Sequence, residues 1–270
     1  MPKVISSKKT RSLAFFLALV CLLAVTTGFS QTEPDQNQLS QIHESFAKQN
    51  ESLKTLKASL RIGIPHPSAP LIQWTDALLA WQKNPEFLYL KGHKPLVPLY
   101  FILKSLDRRF WFYLVRPYTV YYGANEVLER EIDLDVKMIP QDILIAIQWP
   151  EISEDESNRS VHRNAADEEE WVIKAKDGEM LRRIVLDGME NPKFTVEYNE
   201  FGFPKLEITK ENWQLIRGGG YFPFRIKIKR LLPKKNELIL EFKEVRMNTA
   251  LEPKIVSTEF PKDANYVELK

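Results

Sequence analysis

Apolar side chains recur at every second position through most of this chain, a spacing that suits strands and little else. In TLKASLRIGI, Leu56, Ala58, Leu60, Ile62 and Ile64 alternate with Lys57, Ser59, Arg61 and Gly63, as in a strand buried on one face. The period returns at Trp171, Ile173 and Ala175, at Phe194, Val196 and Tyr198, and at Leu206 and Ile208. It continues through Phe222, Phe224, Ile226 and Ile228, then Leu238, Leu240 and Phe242. Asp177-Gly178, Asn199 to Gly202 and Pro233 to Asn236 supply turn chemistry between these runs. Upstream, strands are predicted near Ile72 to Trp81, Phe87 to Leu90, Leu99 to Lys104 and Phe110 to Val115. The total is about ten or eleven hairpin-connected strands, too many to stay flat. The expected fold is mainly β (α+β): one strongly curved antiparallel sheet, with helices covering its concave face.

Two segments carry a helical period. Leu39, Ile42, Phe46 and Leu53 predict a helix over about 36 to 50. Pro140-Gln141-Asp142 opens a short, very apolar helix in which Ile139, Ile143, Leu144 and Ile147 share one side. Residues 150 to 170 (PEISEDESNRSVHRNAADEEE) are acidic and aperiodic, and read as a flexible loop.

The aromatic run RRFWFYLVRPYTVYYG, residues 108 to 123, poses a question. Phe110, Trp111, Phe112 and Tyr113 are consecutive, and neighbours on a strand face opposite ways. This strand therefore carries large apolar side chains on both faces.

The N-terminus reads as an export signal. Lys3, Lys8, Lys9 and Arg11 precede an uninterrupted apolar stretch from Leu13 to Val25. That stretch is too short for a bilayer core of about 30 Å, and Gly28-Phe29-Ser30 offers a small-residue cleavage site. Residues 1–30 are expected to be a signal peptide cut after Ser30, leaving 31–270 as one domain in the periplasm. Acylation of Cys21 is disfavoured, because Val20 precedes it and the site would split the apolar stretch. Of 38 Lys and Arg, four fall in residues 1–30, leaving 34 against 36 Asp and Glu, or a net charge of −2. Such a balance gives no footing to nucleic-acid binding. Cys21 is the single cysteine, so disulfide and thiolate chemistry are not expected in the exported chain.

No catalytic or metal-binding constellation is legible. His43, His66, His93 and His162 lie in unrelated segments. Gly218-Gly219-Gly220 precedes a strand rather than a helix, so it does not read as a phosphate cradle. The carboxylates at 151 to 156 and 167 to 170 lack the alternation and glycine of a calcium loop. Neither a nucleophile elbow nor any cofactor motif appears.

The C-terminal stretch LILEFKEVRMNTALEPKIVSTEFPKDANYVEL has a recognisable layout: a strand ending in VRMN, a linker, then TEFPKDANYVEL. With SLKTLKASLRIGI, WQKNPEFLYLKG and GGGYFPFRIKIKR in that order, it resembles the periplasmic lipoprotein carrier and receptor superfamily, the LolA/LolB-like proteins. The resemblance covers most of residues 36 to 270. It implies an unclosed β-barrel with a helical lid over a hydrophobic cavity for lipoprotein acyl chains. In the soluble carrier an Arg before a strand's Pro latches the lid; here Lys83-Asn84 precedes Pro85.

On this footing the expected cavity residues are Leu56, Leu60, Ile62, Trp74, Phe87, Phe110, Phe112 and Leu114, and the lid residues Ile143, Leu144 and Ile147. The implied ligands are lipoprotein acyl chains or other envelope lipids, handled by a monomer without enzymatic chemistry or cofactor. Lipoprotein-sorting components of the inner or outer membrane are possible partners. Two alternatives stand beside this reading. One is an envelope stress sensor or interaction module that uses the same fold to bind a protein; the other is a hydrolase of envelope lipids.

Overall fold

The computed structural model describes residues 36–65, 71–94, 97–130, 139–151, 158–163, 168–174, 180–216, 220–257 and 259–270. All belong to one compact unit, Pro34–Lys270. The N-terminal signal segment with Cys21, together with His66 and Gly218-Gly219, lies outside the described residues.

The elements run α1 (Gln36–Ser52), β1 (Thr55–Pro65), β2 (Ile72–Gln82), β3 (Phe87–Lys94), β4 (Val97–Leu106), β5 (Arg109–Leu114), β6 (Thr119–Ala124), α2 (Asn125–Arg130) and α3 (Pro140–Ile147). Then follow β7 (Asn158–Arg163), β8 (Glu169–Lys174), β9 (Met180–Leu186), β10 (Pro192–Tyr198), β11 (Pro204–Ile216), β12 (Gly220–Arg230), β13 (Asn236–Met247), α4 (Pro253–Val256) and β14 (Asn265–Glu268). One sheet holds fourteen strands in the order β14-β6-β5-β4-β3-β2-β1-β13-β12-β11-β10-β9-β8-β7. Its pairings are antiparallel except for β14 on β6, which is parallel.

The strand count exceeds the ten or eleven read from sequence. Three strands were missed: β6 behind the aromatic run, the polar β7, and the four-residue β14. β7 lies inside the stretch read as a flexible loop. It is the last strand in the order, and its sequence NRSVHR carries no apolar alternation.

The sheet is curved and unclosed. β4 and β12 are five strand spacings apart in the order, roughly 24 Å if the sheet were flat. Both touch α3, a helix only about 10–12 Å across, so the strands between them curl around it. Inward residues of β1–β5 and β11–β13 join Ile139, Ile143, Leu144 and Ile147 in one apolar cluster. A second cluster lies towards the β7 edge, where Ile42 and Phe46 of α1 meet Trp171, Ile173, Ile184 and Leu186.

Pairing register decides the faces. Ala77, Leu79 and Trp81 of β2 stand opposite Leu60, Ala58 and Leu56. Leu88, Leu90 and Gly92 of β3 follow, then Ser105, Leu103 and Phe101, then Phe110, Phe112 and Leu114. Gly92 leaves room for the Phe101 ring, which a Cβ at this position would strike. That ring also meets Phe112 at 5.9 Å between centroids and cannot retreat. Gly92→Ala is expected to lower stability by about 1–3 kcal/mol, read as an earlier urea midpoint at unchanged slope.

The aromatic run now has an explanation. Phe110 and Phe112 face inward, while Trp111 and Tyr113 face outward and are covered by the chain's own C-terminal segment. Tyr113 and Val120 cluster with Ala264, Phe260 and Trp111. Lys104 donates to the Ser257 carbonyl and lies 5.0 Å from the Phe260 ring centroid. Burial pushes its amine below the ordinary lysine range. The Asn of VRMN is a tie: Asn248 Oδ1 accepts from Lys54 N at 2.8 Å, and its Nδ2 donates to Ser52 O at 2.9 Å. The end of β13 is thereby fixed to the α1–β1 junction.

Candidate functional site

The expected site residues divide between the two faces. Leu56, Leu60, Ile62, Phe110 and Phe112 are buried in the inner cluster, and Leu114 packs against it half-buried. Trp74 does not join them. It stands opposite Gly63, on the outer face, with Arg61 stacked over its ring at 4.8 Å. Phe87 is buried but pairs with Gln82 and Leu106, one residue out of phase with the inward Leu88. In both strands apolar residues occupy both faces, so alternation alone left the phase open.

Ile143, Leu144 and Ile147 are buried under the sheet's curl. Among the described residues, the helix packs against the inward side chains of the sheet. The space between them includes a pocket of about 10 Å³ lined by Ile139, Asp142, Ile228, Arg230, Asn236 and Leu238.

What holds α3 there is polar, and it acts at both ends. Asp142, in the first turn, receives Arg230 Nε at 2.7 Å on Oδ2, and Nη2 reaches Oδ1. The side chains are 3% and 7% exposed for Arg230 and Asp142. Beyond the last turn, Lys210 Nζ donates to the Gln148 carbonyl. The spacing fits a helix lying along the strands. Arg230 stands opposite Leu206, four residues or about 13 Å from Lys210 along β11, and Asp142 to Gln148 rises about 9 Å along the helix. Burial lowers the Lys210 amine to about 7, opposed by the Glu197 carboxylate.

A third tie follows. Asn50 Nδ2 donates to Trp149 O, and Trp149 N donates to Asn50 Oδ1, both at 3.0 Å. The Trp149 indole lies 5.2 Å from Phe46 and 5.3 Å from Trp213. Lys83, the cation before Asn84-Pro85, donates to Asn50 O at 3.1 Å. It thus grips the end of α1, and the polar ties on α3 come from β11 and β12.

One inner donor is unused. Trp81 is 1% exposed in the inner cluster, and its Nε1 has no hydrogen-bond partner among the described residues. Sequence reading missed Arg230, Lys210 and Trp81. A signal was present for the first two: each is a cation in the inward phase of its strand, after Ile228 and Ile208 respectively. Among the described residues, no cluster of three or more His, Cys, Asp or Glu is placed to hold a metal ion.

No protein-family model matches the sequence, and no curated protein matches it. Solved structures do match, at low identity. A putative outer membrane lipoprotein-sorting protein domain from Vibrio parahaemolyticus aligns over 79% of this chain and 94% of its own, with TM-score 0.57 and 13% identity. A DUF1329 family protein from Desulfovibrio piger aligns over 81% and 97%, with TM-score 0.58 and 9% identity. A LolA superfamily protein from Nitrosomonas europaea aligns over 80% and 97%, with TM-score 0.52 and 13% identity. The unclosed, curved sheet of this chain, with helices on its inner face, is thus the fold of these solved structures, a LolA superfamily protein among them.

Proposed function

We propose that this protein is a non-enzymatic lipid-binding protein of the cell envelope, which takes lipoprotein acyl chains, or related envelope lipids, onto the inner face of its sheet. The observation that carries this reading is the construction of α3. Its contacts with the sheet are apolar side chains, while discrete polar ties hold its ends. A short apolar cover of this kind can be exchanged for another apolar occupant once the ties yield. Each methylene buried in its place contributes about 0.8 kcal/mol, so a few acyl chains offset the loss of the helix packing. Trp81 Nε1 would donate to an ester carbonyl of such a ligand. The basic and then apolar N-terminal segment supports export to the periplasm with cleavage after Ser30, where the protein would work as a monomer. Components that sort lipoproteins between inner and outer membranes are its partners.

Native mass spectrometry of the exported chain, with and without a triacylated lipopeptide, tests the proposal. A complex is expected that weakens with Trp81→Phe and disappears with Phe112→Asp, both variants being checked for folding by near-ultraviolet circular dichroism. Ile143→Ala, which loosens the helix, should speed uptake. A folded protein that never gains lipopeptide mass would refute the reading.

A further inference from the structure

One rim of the sheet exposes apolar side chains that the fold does not use. Register aligns the ends of six neighbouring strands there. Arg230 of β12 stands opposite Leu206 of β11 and Asn236 of β13; Tyr198 of β10 opposite Pro204; Ile72 of β2 opposite Pro65 of β1. From this rim Phe201 projects at 71% exposure, Phe203 at 60% and Leu71 at 68%. Lys234 and Lys235 lie exposed in the intervening β12–β13 turn. That turn abuts the base of the phenylalanine turn through Leu231 N donating to Lys205 O at 2.8 Å.

The phenylalanines are held outward. Asn199 Oδ1 accepts from Phe201 N at 3.1 Å and Phe203 N at 2.9 Å. Asn199 N donates to Phe203 O at 2.9 Å, and Gly202 N to Asn199 O at 3.0 Å. Gly202 sits at φ +73°, where a side chain would be strained. A tight, self-bonded turn thus presents two aromatic rings to solvent, with Lys205 at its base and Lys234 and Lys235 in the adjoining turn, against Glu200.

We propose that this rim docks on the anionic surface of a lipid bilayer, with Phe201 and Phe203 in the interface and Lys234 and Lys235 against lipid phosphates. Aromatic rings settle at the level of the headgroups, and lysines are drawn to anionic lipid. The apolar contacts are convex turn tips interleaved with cations, which suits a planar, yielding surface. The inference deepens the lipid-binding reading and rests on it for its purpose. Arg230 Nη1 donates to Leu232 O at 3.2 Å within this rim, so the tie on α3 lies just behind the docking face.

Co-sedimentation with vesicles tests it, using the exported chain and vesicles of phosphatidylcholine alone or mixed equally with phosphatidylglycerol. Binding is expected to the mixed vesicles only, and to fall with salt. The double variants Phe201→Ser/Phe203→Ser and Lys234→Ser/Lys235→Ser should each weaken it by on the order of tenfold without shifting the melting temperature. Equal binding by parent and variants would overturn the proposal, as would a dimer in analytical ultracentrifugation that the phenylalanine variant breaks. Lipopeptide uptake measured on the same samples separates the two readings. Uptake without vesicle docking sinks the rim alone; docking without uptake leaves the rim and sinks the carrier.

Discussion

Replacing Arg230 with methionine should lower the unfolding free energy by about 3–5 kcal/mol. The expectation follows from what remains. Arg230 and Asp142 are almost wholly buried, and the guanidinium meets the carboxylate through two nitrogens. Without it, Asp142 would be a buried carboxylate that has lost its guanidinium, unable to recover hydration unless α3 leaves the sheet. The carboxylate would then take up a proton or the helix would detach. The double variant Asp142→Leu/Arg230→Met removes both charges and should regain most of the loss, since apolar replacement of a buried pair is often neutral or better. Urea unfolding of the three proteins decides it. A loss below about 1 kcal/mol for Arg230→Met, the range of exposed ion pairs, would mean that α3 is not docked in solution. Functionally, the single variant should exchange lipopeptide faster than the parent, while the double variant holds the helix by apolar packing and the Lys210 tie.

The sheet was largely legible because its core strands obey a simple rule. β1, β11, β12 and β13 alternate apolar and charged residues, so their existence and their apolar face could both be read from the sequence. β2 and β3 could be recognised as strands but not phased. IQWTDALLAWQ and FLYLKG are apolar on both faces, and only pairing with β1 puts Leu79 and Leu88 inside and Trp74 and Phe87 outside. The aromatics of β5 carried the same ambiguity. They were resolved by a contact remote in sequence, the crossing of Phe260 and Ala264 over the outer face. The helix α3 was legible from Pro140 and its apolar side. Its ties were not, because Arg230 follows the alternating Arg225, Lys227 and Lys229, and Lys210 stands between Thr209 and Glu211, so both look solvated. Their phase sets them apart: an outward cation belongs on such a strand, whereas an inward one must find a partner across the core.

The tie at the other end of α3 should respond to pH. Lys210 has its amine lowered from 10.5 to about 7, first by burial, with the Glu197 carboxylate of β10 opposing the shift. Glu197 is itself paired with Arg182 Nε at 2.6 Å, which limits that opposition. In the unfolded chain the amine keeps its ordinary value. Between the two values the unfolded state binds the proton that the folded state has released, so stability rises with pH across that window. Below pH 7 both states are protonated and the folded protein carries the full cost of a buried ammonium, about 5 kcal/mol for such a shift. Lys210→Met removes that cost together with the hydrogen bond to the Gln148 carbonyl, worth about 1 kcal/mol. The variant should therefore be the more stable protein below pH 7, lose its advantage as pH climbs, and fall slightly behind near the ordinary lysine value. Parallel curves for parent and variant would show that Lys210 keeps its charge solvated. The same sign applies to opening of α3. Lifting the helix exposes the amine to water, where its proton is welcome, so acid favours the open form and base the closed one. Hydrogen exchange of the α3 amides, corrected for intrinsic rates, should accordingly show protection that grows with pH in the parent and stays level in the Lys210→Met variant.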